Sequence, residues 1–429
     1  MMCPRNSLNG FSELPTSCTN LPINAVGLAS LFSAIFLMRK IPIDKLHGSL
    51  VALAALALPV MLLECLFLKT YRRSSTGLDF SLKREWNWRR IAVKLLGFYH
   101  TLALAAFAYW VLPEYHRELY SYYWQMWRLL LPMVLVGAVP YFAWVDRFMV
   151  EPEDGYWHMG MTVLGRWARV NRKYLSQHML GWVVKVFFLP IMFSYFVGSI
   201  DYIQNVKLTD AFSDFRSFFY FFWNNMFLID LAFVSAGYLL TLRIFDSHIR
   251  STEPTLLGWS VALLCYEPFY PFFSSTYLNY QSEFSWGVFS SRPLLYVCWG
   301  SAILFFLGVY AAATVPFGIR FSNLTHRGIL TNGPYRFTKH PAYVSKIIVW
   351  WLVYVPFIPV HGVMESVRHC TLLLCLDGIY FLRARTEEKH LSRDPVYVAY
   401  ALRMNERGIF RGLGRILPFL QYREPPPFR

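Results

Sequence analysis

Two short polar segments near the C-terminal end of the chain contain residue types that could bind a charged small molecule. Residues 333–343 read Gly-Pro-Tyr-Arg-Phe-Thr-Lys-His-Pro-Ala-Tyr, and residues 383–388 read Arg-Ala-Arg-Thr-Glu-Glu. Pro341 suits the first turn of a helix, where its missing N–H is no loss, so we expect a helix to begin there. From His340 to Arg383 the chain advances 43 residues, enough for two membrane crossings and a tight turn. Both segments would then return to the same face of the membrane.

The two helix ends that carry these segments offer complementary charges. The start of the first helix has free N–H groups and the positive end of the helix dipole, which favour an anion such as a carboxylate. The end of the second helix carries Glu387 and Glu388, which favour a cation. S-adenosylmethionine contains a carboxylate, an ammonium and a sulfonium, so its charges match this pair of ends. The alternative is that Arg383–Glu387 and Arg385–Glu388 pair along the helix surface for a few tenths of a kcal/mol each.

The elements that must position these segments are membrane helices. Only 16% of the residues are charged and 55% are hydrophobic, whereas a soluble chain has about 25% charged residues. A span needs roughly 20 mostly apolar residues, and about ten such runs predict an all-α, multi-pass membrane helix bundle. The predicted spans are Leu21–Met38, Gly48–Leu68, Ile91–Leu112, Leu129–Val145, Leu180–Ile200, Phe218–Leu242, Leu256–Phe273, Pro293–Phe317, Val344–Val360 and Val367–Leu382.

The distribution of basic residues predicts the orientation of these spans. The even-numbered loops contain 18 Lys and Arg residues, against eight in the odd-numbered loops. Basic residues mark the cytoplasmic face, so we expect both termini and the two polar segments to be cytosolic. The net charge of +15 then reflects topology and contact with anionic membrane lipids, and it gives little support for a nucleic-acid partner.

Several ionisable residues fall within or near the apolar runs, where charges are costly and often mark a site or a path. Glu64 lies near a span end, and we expect it to serve packing. For Lys185, Asp230 and Glu267, a path through the bundle and a packing role both stay open. The seven cysteines are scattered and show no metal-ligand spacing, so no metal site is predicted.

The order of the motifs resembles a known enzyme family. Gly-Pro-Tyr, His-Pro-x-Tyr, a two-span hairpin, Arg-x-Arg-Thr-Glu-Glu and a Tyr-x-x-Tyr pair at Tyr397 and Tyr400 follow one another. This order is similar to that of the isoprenylcysteine carboxyl methyltransferase family and the related phospholipid methyltransferases. The likeness covers about residues 321–410. The chain departs from the family pattern at Ser345, where the family usually has Gly, and at Arg403-Met404-Asn405, where Arg-Val-Pro is expected.

The resemblance implies a membrane-embedded S-adenosylmethionine-dependent methyltransferase with a cytosolic cofactor site. It implies a module at residues 291–429, preceded by an N-terminal transmembrane region, residues 1–290, whose role it leaves open. The residues that correspond to the family's cofactor contacts are His340, Tyr343, Glu387 and Glu388, with Tyr335 as a further candidate against the adenine. Arg383 or Arg385 would orient a substrate or cofactor carboxylate, because a planar guanidinium binds one through two hydrogen bonds.

The expected reaction is attack of a substrate atom on the sulfonium methyl group. A carboxylate acceptor needs no general base, and no strong base candidate stands out, so we expect a lipophilic carboxylate acceptor that enters from the bilayer. One alternative is an NADPH-dependent reductase of the sterol-reductase type, against which the adjacent Glu387 and Glu388 argue. Another is a non-enzymatic transporter or lipid-binding scaffold. The sequence leaves the acceptor's identity and the oligomeric state open.

Overall fold

The computed structural model describes residues 14–82, 84–275 and 285–425, and most of them are α-helical. The helices in these residues are α1 Leu21–Met38, α2 Lys45–Leu63, α3 Trp88–Val111, α4 Ser121–Phe148, α5 Gly155–Val163, α6 Arg172–Asn205, α7 Leu208–Ala211, α8 Phe215–Leu239, α9 Leu256–Leu263, α10 Phe269–Phe273, α11 Pro293–Thr314, α12 Pro341–Tyr354, α13 Val363–Leu391, α14 Pro395–Arg407 and α15 Arg411–Ile416. Two short strands, β1 Ser251–Thr252 and β2 Thr325–His326, pair antiparallel.

Seven helical segments in the described residues are long and apolar enough to cross a membrane, by length and composition. They coincide with seven of the ten predicted spans, which confirms an all-α protein with membrane-length helices. The number ten and the orientation of the termini stay predictions, and Met1 and Arg429 lie outside the described residues. The seven segments are Leu21–Met38, Lys45–Leu68, Trp88–Val111, Glu118–Phe148, Arg172–Asn205, Phe215–Leu239 and Pro293–Arg320.

The other three predicted spans are built differently. The run Leu256–Phe273 forms the short helices α9 and α10, because Pro268 lacks the N–H that a continuous helix needs. Helix α12 ends at Tyr354 after 14 residues, since Pro356 disfavours helical conformation in the residue before it. At 1.5 Å per residue, α12 is about 21 Å long, shorter than the hydrocarbon core of a bilayer. The last predicted span lies inside α13, which has 29 residues.

The chain divides into two compact units by its internal contacts. One contains Pro22–Thr255 and Gly318–Arg327, and the other contains Met1–Leu21, Leu256–Phe317 and Gly328–Arg429. This division reflects packing, whereas the predicted boundary at residue 290 was a functional one, and that boundary stays a prediction.

Within the first unit, α3 and α5 approach closely at two glycines. A Cβ atom on Gly97 would lie 1.9 Å from the carbonyl oxygen of Tyr156, and one on Gly160 would lie 2.0 Å from that of Val93. No side chain fits at such distances, so the two glycines permit direct contact between the helix backbones.

The same unit contains buried ion pairs at the helix ends. Glu64 is fully buried, and its Oε1 lies 2.7 Å from a guanidinium nitrogen of Arg320. Asp146, at the end of α4, accepts hydrogen bonds from Arg90 and lies 2.8 Å from the Lys94 ammonium. The partner found for Glu64 agrees with its predicted packing role.

The second unit is organised around the tyrosines of α14. Tyr397 and Tyr400 are buried in one hydrophobic cluster with Tyr422. The Tyr400 hydroxyl donates a hydrogen bond to the carbonyl oxygen of Tyr335 at 2.7 Å. Asn405 forms two hydrogen bonds with the backbone of Tyr422, at 2.8 and 2.9 Å. These contacts hold the segment before α12 and the C-terminal tail against α14.

Candidate functional site

The start of α12 lies beside the C-terminal third of α13. Helix α12 begins at Pro341, as predicted, with His340 as the residue that precedes it. The side chain of His340 does not cap the helix. The N–H groups of the first turn also have no acceptor inside the helix itself. His340 instead reaches α13, where its Nε2 lies 3.1 Å from Oε1 of Glu388.

Glu388 is the centre of a buried ionic cluster. Its Oε1 lies 2.6 Å from the Lys339 ammonium, and its Oε2 accepts a hydrogen bond from Arg385 at 2.7 Å. The side chain of Glu388 is 6% exposed. Burial by itself raises the pKa of Glu388, but the hydrogen bond from His340 and the charge of Lys339 outweigh it and lower that pKa to about 2. The carboxylate is therefore ionised at neutral pH and can only accept, so the Nε2 of His340 carries its proton.

Glu387 lies in a different environment from its neighbour. It is half-buried, and its Oε2 accepts a hydrogen bond from the Tyr343 hydroxyl at 2.8 Å. Consecutive residues of a helix point about 100° apart, which explains why the two carboxylates have different partners. Within the part of the chain that the structure describes, Glu387 forms no ion pair. Its carboxylate is therefore available to contact a bound cation.

Two tyrosine rings bracket the Arg383 guanidinium. The guanidinium carbon lies 5.4 Å from the ring centres of both Tyr266 and Tyr343, distances at which cation–π attraction operates. The ring of Tyr343 also stacks on His340, with centroids 5.5 Å apart and planes 12° from parallel. Tyr343 therefore connects Arg383, His340 and Glu387 in one arrangement.

The structure brings six of the seven predicted site residues into one network and places the seventh in a hydrophobic core. Of the two predicted helix-surface pairs, Arg385–Glu388 is present, while Glu387 bonds Tyr343 instead of pairing with Arg383. Tyr335 is 9% exposed and packs edge-on against Phe317, with ring centroids 5.8 Å apart.

Sequence reasoning did not single out Lys339, Tyr266 or Tyr422. Tyr266 precedes Arg383 by 117 residues, so no periodicity could have connected them. Lys339 lies within the motif, directly before His340, and its position there was the available signal. The Lys339 ammonium lies 5.5 Å from the ring centre of Tyr422. Tyr422 belongs to the C-terminal tail, where the sequence shows no periodic apolar pattern.

The site offers groups of both charge types to a ligand. Glu387 provides a carboxylate that forms no ion pair in the described part of the chain, the first turn of α12 provides N–H groups, and Arg383 provides a guanidinium. The buried hydroxyl of Tyr397 has no hydrogen-bond partner among the described residues, and burial together with the nearby Glu388 and Glu387 raises the pKa of Tyr397 well above its ordinary value. This set of groups fits a zwitterionic, cationic cofactor. No cluster of three or more potential metal ligands occurs in the described ranges.

No protein-family model matches the chain, and neither a curated protein nor a solved structure matches it.

Proposed function

We propose that the chain is a membrane-embedded methyltransferase that uses S-adenosylmethionine and acts on a lipophilic carboxylate. The observation that carries the proposal is that Glu387, which forms no ion pair within the described residues, lies next to the start of α12. A carboxylate and a helix N-terminus complement the positive and negative ends of this cofactor. The order of motifs in the sequence supports the same assignment.

The residues of the site have distinct roles in this proposal. Glu387 contacts the cationic part of the cofactor, and the first-turn N–H groups of α12 contact its carboxylate. Glu388 is a positioning residue, since its bonds to His340 and Lys339 hold the start of α12 against α13. Arg383, fixed between two tyrosine rings, orients the acceptor carboxylate. Tyr335 supports the loop from the hydrophobic core.

The chemistry asks little of the protein beyond alignment. When bound, S-adenosylmethionine supplies an electrophilic methyl group whose bond to sulfur breaks as the new bond to the acceptor forms. The electron pair of the broken bond stays on sulfur, and an ionised acceptor carboxylate has no proton to lose. His340 and Lys339 are already engaged with Glu388, which suits an acceptor that needs no base.

The proposal includes the membrane arrangement. The chain crosses the membrane about ten times, both termini are cytosolic, and the site faces the cytosol next to membrane lipids. The cofactor then reaches the site from water, while the acceptor reaches it from the bilayer. The 18-to-eight distribution of basic residues between the two sets of loops supports this orientation.

Binding measurements on the purified full-length chain test the proposal. We expect S-adenosylmethionine to bind and NADPH not to bind. Glu387→Gln should weaken binding roughly 10- to 150-fold, because a charge-assisted hydrogen bond contributes about 1.5–3 kcal/mol. Glu406→Gln, which changes an exposed glutamate of α14, is the control and should bind like the wild type.

The acceptor class is tested with a matched pair of lipids. A prenylated cysteine derivative with a free carboxylate should become methylated, and its methyl ester should not. Binding of NADPH in place of S-adenosylmethionine would favour the reductase alternative. Wild-type affinity in both Glu387→Gln and Glu388→Gln would remove the support that the glutamate pair gives to the proposal.

A further inference from the structure

The unit that contains Pro22–Thr255 has a cavity that the proposed methyltransferase site does not include. Its volume is about 720 Å³, within the roughly 300–1,000 Å³ range of small-molecule sites. Its wall is formed by α3, α4, the start of α5, α6 and three loops, residues 74–77, 149–154 and 241–250. These loops belong to the set rich in Lys and Arg, so the cavity lies at the membrane end that the basic residues mark.

Two basic side chains of the cavity wall have no carboxylate partner among the described residues. The Lys185 ammonium donates a hydrogen bond to the Thr241 hydroxyl at 2.5 Å and lies 4.6 Å from the ring centre of Trp182. The Arg243 guanidinium donates to the carbonyl oxygen of Thr76 at 3.0 Å. Across residues 14–82, 84–275 and 285–425, neither side chain forms an ion pair. A lysine inside a membrane-length helix usually has a partner, so its position at a cavity wall indicates a ligand with negative charge.

A buried nitrogen at the same cavity also lacks a partner. The Nδ1 of His248 is buried and makes no hydrogen bond in the described part of the chain. Burial, together with the nearby Arg243 and Arg250, lowers the pKa of His248 well below its ordinary value. The ring is therefore neutral at physiological pH, and in one tautomer it can donate a hydrogen bond from Nδ1.

The acidic residues of the wall are already engaged. Glu151 accepts a hydrogen bond from the Tyr174 hydroxyl at 2.8 Å. Asp154 caps the start of α5 by accepting from the backbone N–H of Trp157. Arg250, the third cation of the wall, is paired with Asp246. These hydrogen bonds leave both carboxylates charged, so the wall carries charge of both signs. Lys185 and Arg243 are the basic groups of the wall that form no ion pair among the described residues, and they are the groups that an anion would contact.

The rest of the wall is apolar and aromatic. Phe98, Phe142, Tyr156 and Trp182 line it, and the ring of Phe98 packs against the other three at centroid distances of 5.6, 5.7 and 6.2 Å. A free inorganic anion would leave this surface unused, whereas an amphiphile would cover it. We propose that the cavity binds an anionic amphiphile, with its phosphate or carboxylate on Lys185 and Arg243 and its apolar part against these rings.

Native mass spectrometry of the full-length chain in detergent tests the proposal, with dioleoyl phosphatidic acid and dioleoyl phosphatidylcholine as probes. We expect phosphatidic acid to form a one-to-one adduct at lower concentration than phosphatidylcholine does. Lys185→Gln should raise the concentration needed about tenfold or more, because a charge-assisted contact is lost. Lys173→Gln, an exposed lysine near the start of the same helix, should leave binding unchanged.

Should Lys185→Gln fail to fold, Arg243→Gln tests the same proposal. Arg243 follows α8 and lies outside the long helices, so we expect this variant to fold. Wild-type binding of phosphatidic acid in both variants would overturn the proposal, as would equal binding of phosphatidylcholine. Displacement of the lipid by inorganic phosphate at equal concentration would show that the site binds a soluble anion. That result would overturn the proposal that the ligand is an amphiphile. S-adenosylmethionine binding should be unaltered in these variants, so this result and that of the methyltransferase test can be told apart.

Discussion

At the scale of single residues, the two adjacent glutamates have different partners and different burial. From the sequence, Glu388 is the favoured cofactor contact of the two, because it shares a helical face with Asp377, eleven residues earlier, and is therefore expected to face the bundle interior. Glu388 is indeed buried, but Lys339, His340 and Arg385 already surround it. Glu387 is the one of the two that forms no ion pair with any described residue. The motif order could predict both residues, but their partners come from segments distant in sequence, which no local pattern encodes.

This difference leads to a prediction about stability. Glu388→Gln removes the charge that compensates Lys339, and breaking a buried ion pair costs about 3–5 kcal/mol. We therefore expect a clearly lower thermal unfolding temperature for Glu388→Gln in detergent. Glu387→Gln, at a half-buried position with a tyrosine partner, should unfold close to the wild type. Equal unfolding temperatures in the two variants would contradict the role assigned to the ionic cluster.

The same cluster predicts a pH dependence. The pKa of Glu388 in the folded chain is about 2, below its ordinary value of 4.5, so its contribution to stability is present above about pH 4.5. That contribution is lost as the pH falls toward about 2. The difference in unfolding temperature between wild type and Glu388→Gln should stay constant near neutral pH and shrink below about pH 4.5. A difference that grows on acidification would show that another group dominates.

At the scale of elements, hydropathy predicted the long helices well and the short ones poorly. The predicted and observed bounds of α1 are identical, Leu21–Met38, because an isolated apolar run leaves little choice of structure. Helix α5, with nine residues, gave no such signal. Its packing depends on two glycine contacts with α3, and a single glycine in a sequence does not reveal which backbone it approaches.

The contact between α3 and α5 provides a prediction with an internal control. Gly97→Ala places a Cβ atom 1.9 Å from a carbonyl oxygen, and a rigid backbone cannot move away cheaply. We expect a loss of at least about 1–3 kcal/mol, the usual cost of overpacking. Gly198→Ala, in α6, meets no atom within 4 Å and gains the better helix propensity of alanine. Thermal unfolding of both variants should show Gly97→Ala below the wild type and Gly198→Ala at or above it.

At the scale of the whole molecule, the basic residues have two functions that the sequence could not separate. Their uneven distribution predicted an orientation and contact with anionic lipids. Several of them are used inside the fold instead: Arg90 and Lys94 with Asp146, Arg320 with Glu64, and Arg327 with backbone carbonyls. Burial of these side chains leaves fewer charges for the lipid surface. The predicted orientation depends only on which side of the membrane these residues occupy, so their burial in the fold does not change it.

The orientation of the chain can therefore be tested independently of lipid binding. Reporter fusions at Met1 and Arg429 should both report the cytosol, because the basic loops mark that face.

Single cysteines in a cysteine-free chain provide the internal check. Ser81, in the loop after α2, and Ser213, in the loop before α8, are both exposed. A membrane-impermeant maleimide should label Ser213→Cys in intact cells and label Ser81→Cys only after permeabilisation. The opposite labelling would place the start of α12 on the wrong side for a cytosolic cofactor, and the methyltransferase proposal would fail with it.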